Sequence, residues 1–313
     1  MYEQEVTIRP YQDSDAESIV AIINRDSLHL QNGMHIHEFE RFLDEPGART
    51  REHTFVANLH DQIVGYISLC FVETTNGRKV DSFSAVDIPW RRKGIGTILF
   101  QFILNHLNAV VSQEDRTIHF VLRVDSRTTG MLELARSHGM EKKHTLLLLR
   151  KDDLVHIRNC YVTPNYSFKS PTLQQADAWA SIYNDAFQGK KTVESVVYEL
   201  EGASHSDLNI LAFHPGEDEP VAFISSQLVG DRGDIATIAV KQDYQGRGIG
   251  HALLIENLLR LKNAGANEIT LSVNSANLKA IRLYEKVGFT TYATRSYFFK
   301  QISPALEVPL SSK

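Results

Sequence analysis

This chain of 313 residues has only two cysteines, Cys70 and Cys160, far apart and without metal-ligand spacing, which points to a reduced intracellular pair rather than a disulfide. Neither sign of charge dominates. Its 33 basic and 38 acidic residues leave a formal charge of −5, which gives no electrostatic footprint for nucleic acid and a mildly acidic surface that tolerates cationic small molecules. No apolar run approaches the length needed to cross a bilayer. The N-terminus carries Glu3 and Glu5 where a signal peptide would be basic and then apolar, so the expectation is a cytoplasmic protein without a membrane partner. Low-complexity tracts are absent. What remains is an ordinary hydrophobic share of 42%, enough for a sizeable core, in a chain whose length suits two domains.

The organising feature is an internal repeat. The glycine-rich run Gln245-Gly246-Arg247-Gly248-Ile249-Gly250 follows an apolar stretch, residues 234–240, that reads as a buried strand. It precedes residues 251–260, whose apolar spacing reads as a helix. An earlier copy, Arg91-Arg92-Lys93-Gly94-Ile95-Gly96, follows the strand-like residues 80–86. Other matches keep the same order: residues 6–16 with 166–176, Val124-Asp125-Ser126 with Val273-Asn274-Ser275, and Gly139-Met140 with Gly288-Phe289. Each half reads as strand, helix, a second helical region, a meander, the glycine turn, a helix, a strand, a helix and closing strands. Turn signals such as Asn76-Gly77 join the meander. The polar segment 151–164, ending at Pro164, sets domain boundaries of 1–155 and 163–313.

A strand, a glycine turn and a helix together collect unpaired main-chain N–H groups at a positive helix end, where a phosphate can sit. Glycines let the main chain approach without obstruction by Cβ. A dinucleotide-binding turn needs Gly-x-Gly-x-x-Gly, but His251 stands at the third glycine's place. A P-loop needs Gly-Lys-Ser/Thr at its end, and neither copy has it. The bland reading of one such turn is a tight strand-to-helix connection; the repeat and the failed alternatives favour phosphate binding.

These residues resemble the GCN5-related N-acetyltransferase (GNAT) family. Residues 245–250 and 91–96 match its acetyl-CoA motif, Gln/Arg-x-x-Gly-x-Gly/Ala. Asn277, Ala280 and Tyr284, followed by Gly288-Phe289, match its downstream motif. The resemblance covers nearly the whole chain as two tandem copies, a layout also seen in mycothiol synthases. It implies an α/β fold with two tandem domains, each a central mixed sheet flanked by helices, and acetyl-CoA as cosubstrate without a metal. It also implies a small-molecule or peptide amine as acceptor, attacking the thioester directly. A non-catalytic CoA-binding sensor, a partner-binding protein reusing the fold, and mycothiol-synthase-like acetylation of a cysteinyl amine stay open as alternatives. Monomer and dimer both stay open.

By the same resemblance Tyr284 is the general acid that protonates the departing thiolate, a transfer within reach of a phenol held close. Its bland reading is an amphipathic core tyrosine. Asn277 would hydrogen-bond the pantetheine arm or phosphate region; its bland reading is a helix cap. On one helix, Asn277 and Tyr284 would share a face. The main chain at Ile238, Ala239 and Val240 would pair with pantetheine like an added strand, and an N–H there would face the oxyanion. The amides from Gln245 to His251 would grip the diphosphate. Asp234 is the candidate base, against the reading of a solvated turn acid beside Asp231 and Arg232; Glu199, Glu201 or water are further candidates. The first half offers Val86 and the turn Arg91, Arg92, Lys93, Gly94, Ile95 and Gly96, but has Thr128 and Ala135 at the places of Asn277 and Tyr284. It is expected to be a degenerate copy, binding CoA unproductively or bracing the second. His35 and His37 read as loop or strand positions rather than a metal pair.

Overall fold

A computed structural model of the chain describes residues 6–25, 34–74, 77–128, 130–157, 166–203 and 205–304. Cys160 and Asn76 lie outside the described residues. The chain forms two compact units, one of Met1–Val124, Thr128–Lys143 and Tyr297–Lys313, the other of Asp125–Arg127 and His144–Ser296.

In the first half of the sequence the elements are β1 (Thr7–Pro10), α1 (Ala16–Arg25), α2 (Ile36–Leu43), β2 (Thr54–Leu59), β3 (Gln62–Thr74), β4 (Gly77–Val86), α3 (Ile95–Glu114), β5 (Ile118–Asp125), α4 (Met131–Ser137) and β6 (Glu141–Lys151). The second half repeats them as β7 (Ser167–Lys169), α5 (Ala176–Phe187), α6 (Val193–Glu201), β8 (Ile210–Phe213), β9 (Pro220–Val229), β10 (Arg232–Val240), α7 (Ile249–Asn263), β11 (Glu268–Asn274), α8 (Leu278–Lys286) and β12 (Thr290–Ile302). The expected order of elements is the observed one, and each unit is a mixed sheet between two helical layers. In the second unit β7, β8, β9 and β10 are antiparallel neighbours, β10 runs parallel to β11, and β11 pairs antiparallel with β6. The parallel step is possible because α7 makes the crossover between β10 and β11.

Strand periodicity sorts the side chains between the two layers. In the second unit Ile224, Ile235, Ile269, Leu271, Leu253 and Leu258 bury together on the α7–α8 side, while Leu211, Phe223 and Ala239 meet Trp179, Ile182 and Val196 of α5 and α6 on the other. Trp179 stacks on Phe223 with centroids 4.0 Å apart, fixing α5 to the sheet. The first unit divides likewise: Leu99, Ile103, Leu107 and Phe120 lie on the α3–α4 side and Ile19, Ile22, Phe39 and Val56 on the α1–α2 side.

Three expectations change. The compact units do not follow the boundary drawn at 155/163: His144–Ser296 takes most of β6 into the second unit, and the chain from Tyr297 joins the first. Leu149 of β6 is a core residue of the second unit, and Phe298 and Ile302 of β12 are core residues of the first. The expectation about apolar length also fails, because α3, with 20 residues, is long and apolar enough by length and composition to cross a membrane. Its apolarity serves a core, with Ile95, Leu99, Ile103, Leu107 and Val111 all buried. His37 lies within α2 rather than in a loop or strand, while His35 is the extended N-cap just before that helix, the two rings stacked at 5.6 Å. Among the described residues no group of three or more His, Cys, Asp or Glu is placed to hold a metal. Cys70 is a free buried thiol, and burial pushes its pKa up to about 11.

Candidate functional site

The glycine turn of the second unit is built by its own sequence. Gly246 and Gly248 take φ of 79° and 83°, the left-handed region that side chains with a Cβ rarely adopt. A Cβ at Gly246 would meet nothing within 4 Å, so the outer side of the turn is open. Gln245 closes the turn by donating from Nε2 to the carbonyl of Val240 at 3.2 Å. The first intrahelical bond of α7 runs from the Ala252 N–H to the Gly248 carbonyl at 3.1 Å, so the amides of residues 249–251 precede the ladder at the positive end of a 15-residue helix.

The first unit repeats this turn with different side chains. Arg91 donates from Nε to the Val86 carbonyl at 2.9 Å, the same closure made by an arginine. Arg92 takes φ 62° where the second unit has Gly246. A Cβ added at Gly130, just before α4, would fall 2.7 Å from Nη1 of Arg92, so this guanidinium lies against the start of that helix. The ammonium of Lys93 sits 4.4 Å from the Trp90 ring, as the Arg247 guanidinium sits 5.1 Å from Tyr244. The basic cluster is therefore held by protein neighbours rather than simply solvated.

Beside each turn the parallel ladder stops short. It joins Arg232–Ile235 to residues 268–271 in the second unit and residues 78–81 to 118–121 in the first, leaving Ile238, Ala239 and Val240, and likewise Val86, beyond it. Of these two strands β10 carries a bulge, between Ile235 and Thr237 against β9, whereas β4 pairs with β3 in unbroken register. The extra residue turns the strand, so Ile235 and Ile238 both pack toward the α7 side although three positions apart.

Tyr284 lies on α8 with its ring buried against Phe289, centroids 6.0 Å apart. Among the described residues no protein group hydrogen-bonds its hydroxyl, and burial pushes the phenol up to about 12. The backbone around it matches that around Ala135. Phe289 N–H donates to the Tyr284 carbonyl and Met140 N–H to the Ala135 carbonyl, both at 3.0 Å. The alanine is fully buried in the first unit's core. Asn277 is not on the helix with Tyr284, as the spacing suggested. It is the N-cap of α8, its Oδ1 accepting from the Ala280 N–H at 3.1 Å, because a short polar side chain satisfies an orphan amide best from just outside the first turn.

Asp234 is not a turn acid. It sits inside β10 opposite Thr270, whose hydroxyl donates to its Oδ1 at 2.9 Å. Strand alternation places it on the face away from Gly233 and Ile235, the α5–α6 side, two residues before the bulge. Burial raises its pKa, while the Thr270 hydrogen bond and the charges of Arg232 and Arg295 pull it back. Glu199 is ion-paired with Lys191, which occupies its carboxylate. Sequence reasoning missed Thr270, which meets Asp234 from another strand, the bulge, which is defined by pairing with β9, and the side-chain closure of the turn, which spans only five residues.

A profile described as "Acetyltransferase (GNAT) family" matches residues 19–140 and again 176–289. The mycothiol acetyltransferase of Corynebacterium glutamicum is 26% identical over 266 residues, covering 81% of this chain and 83% of that protein. That of Saccharopolyspora erythraea is 23% identical over 274 residues, with 84% and 89% covered. Among solved structures, a GCN5-related N-acetyltransferase from Sphaerobacter thermophilus superposes with a TM-score of 0.77 at 18% identity, covering 96% of this chain and 97% of that one. A tandem GNAT protein from the clavulanic acid biosynthesis pathway does so at 0.72 and 15%, covering 96% and 100%.

Proposed function

The chain belongs to the acetyltransferase (GNAT) family and is an acyl-CoA-dependent N-acetyltransferase by kind; from that premise we propose that it transfers acetyl from acetyl-CoA to a primary amine of a small molecule or peptide by direct attack, in the second unit. The carrying observation is an asymmetry. Both units keep the glycine turn and the splayed strands, but where the first has Ala135 the second has a phenol, Tyr284, whose hydroxyl no described protein group engages.

The open turn with its helix-end amides suits a diphosphate, and the main chain of Ile238, Ala239 and Val240 suits an extended amide-bearing arm. Acetyl-CoA, when bound, supplies the thioester carbonyl. Asp234, raised by burial and held by Thr270, accepts a proton from the amine as its nitrogen attacks the carbonyl carbon, directly or through water. Tyr284 stays protonated at working pH and offers its proton to the sulfur as the carbon–sulfur bond breaks. The burial that raises the phenol raises a thiolate beside it too, so the match between them survives. A main-chain N–H at the bulged strand end would receive the charge on the carbonyl oxygen.

Calorimetry with acetyl-CoA tests this reading. Binding by the wild type and its loss in a folded Gly248→Glu variant are expected; a wild type that does not bind overturns it. The likeness to mycothiol acetyltransferases supports one narrower reading, a cysteinyl amine of a small thiol as acceptor. Thioester consumption with such an amine, against polyamines, amino acids, aminoglycosides and peptide N-termini, separates the acceptors. A sensor role predicts binding with no consumption for any of them. The cytoplasm remains our proposed location.

A further inference from the structure

We propose that Asp185, the third residue from the end of α5, is a positioning residue that sets the approach to the glycine turn and thereby the affinity for the acyl donor; this rests on reading that turn as the diphosphate site. Its Oδ2 accepts from the backbone N–H of Gln242 at 2.6 Å, and its own carbonyl accepts from Nε2 of Gln242 at 2.9 Å. Gln242 opens the single helical turn Gln242–Tyr244 that delivers the chain to Gln245 and Gly246. Two hydrogen bonds thus join the end of a helix on one face of the sheet to the residue that opens the helical turn leading into α7.

The first unit holds the same place with the charges rearranged. Arg25, the last residue of α1, grips Asp87 at two points, Nε to Oδ1 at 2.9 Å and Nη2 to Oδ2 at 3.0 Å. Asp87 Oδ1 in turn accepts from the N–H of Ile88, which opens the equivalent turn Ile88–Trp90. Both units therefore put a carboxylate on the N–H that starts this turn and tie it to the preceding helix. In one the carboxylate comes from the turn and the helix supplies a guanidinium; in the other the helix supplies the carboxylate itself. Two chemical solutions at one point indicate a constraint on the position of the turn rather than a chance surface contact.

The anchor behind Asp185 is firm. Its neighbour Asn184 accepts from the Lys191 N–H at 2.7 Å and donates to the Lys191 carbonyl at 3.0 Å, pinning the segment that returns to α6. From Gln242 to Gly246 only three residues intervene, so a displaced Gln242 shifts amides that must converge on one anion. Positioning errors of that kind weaken binding without touching the reacting groups.

The test compares the wild-type protein, Asp185→Ala, Asp185→Arg and the double variant Asp185→Arg/Lys241→Asp, which copies the first unit's clamp into the second. CoA affinity by calorimetry, KM for acetyl-CoA, kcat and melting temperature are read for each. Asp185→Ala is expected to weaken CoA binding and raise KM by about threefold to tenfold, with kcat and melting temperature near wild type. The double variant is expected to recover most of the affinity that Asp185→Arg loses. Unchanged affinity in Asp185→Ala, equal loss of kcat and melting temperature, or no recovery in the double variant would each overturn the proposal. A wild type that does not bind CoA removes the reading of the turn itself, a result distinct from these.

Discussion

Tyr284 and Ala135 occupy the same place in two copies of one backbone, and only the tyrosine has a proton to give. Tyr284→Phe keeps the ring against Phe289 and removes the hydroxyl alone. Turnover should fall by roughly a hundredfold or more while CoA affinity stays within about twofold; unchanged turnover would remove the assignment. With its pKa pushed up to about 12, Tyr284 contributes no ionisation to the pH profile near neutrality. With Asp234 as the proposed base, the acid side of that profile should follow its carboxyl. Its folded pKa is raised, so the native chain holds a proton that the unfolded chain has released. Stability from this group is full below the unfolded value and is lost as pH rises through the folded one. Asp234→Asn should therefore lower turnover and flatten the acid limb of kcat/KM, yet raise the melting temperature at neutral pH. A variant that loses both activity and stability would contradict the burial argument.

Among the elements, the glycine turns were legible because positive φ selects glycine and the proposed anion site lies within one short segment. The start of α8 was only half legible. Asn277 matched a motif position, but whether it lies on the helix or caps it depends on where the chain leaves β11. Asn277→Ala should cost about 1 kcal/mol in chemical denaturation, and Asn277→Asp should retain the cap. A loss of CoA affinity in the aspartate variant would then report a cofactor contact separate from capping. The bulge in β10 left no mark in the sequence, since it is defined by pairing with β9. Neither did the pair of histidines where α3 packs near the start of β2, His53 Nδ1 lying 2.9 Å from His106 Nε2. Burial pushes His53 down to about 4 and lowers His106. The unfolded chain takes up protons that the native pair refuses, so stability falls as pH drops from about 6.5 toward about 4. Urea midpoints across that range should show the decline, and His53→Phe should make it shallower.

For the whole molecule, the exchange of closing strands assigns each half of the sequence a part in the other's core. Lys300 of β12 donates from Nζ to the His138 carbonyl at 2.9 Å, at the end of α4 in the first unit. In the second unit, Nζ of Lys151 in β6 lies 3.0 Å from where a Cβ on Gly288 would sit, just past α8. Each lysine faces the carbonyl end of a helix, where a cation is favoured. From the first half of the sequence β6 supplies Leu149, 1% exposed, to the core beneath α7. Leu149→Ala should cost about 2–5 kcal/mol. Hydrogen exchange should show β11 and α7 losing protection, whereas β2 and β3 keep theirs; protection unchanged in β11 would refute this assignment.

Order of elements, repeat, glycine turns and the tyrosine that separates the two copies follow from local pattern, because periodicity, positive φ and residue chemistry act within a few positions of the chain. Which unit owns β6 and β12, which face Asp234 takes, and which carboxylate meets the amide that opens each turn were settled by folding alone. Those outcomes depend on partners up to a hundred or more residues away, and no local signal encodes which surfaces burial and hydrogen bonding will bring together.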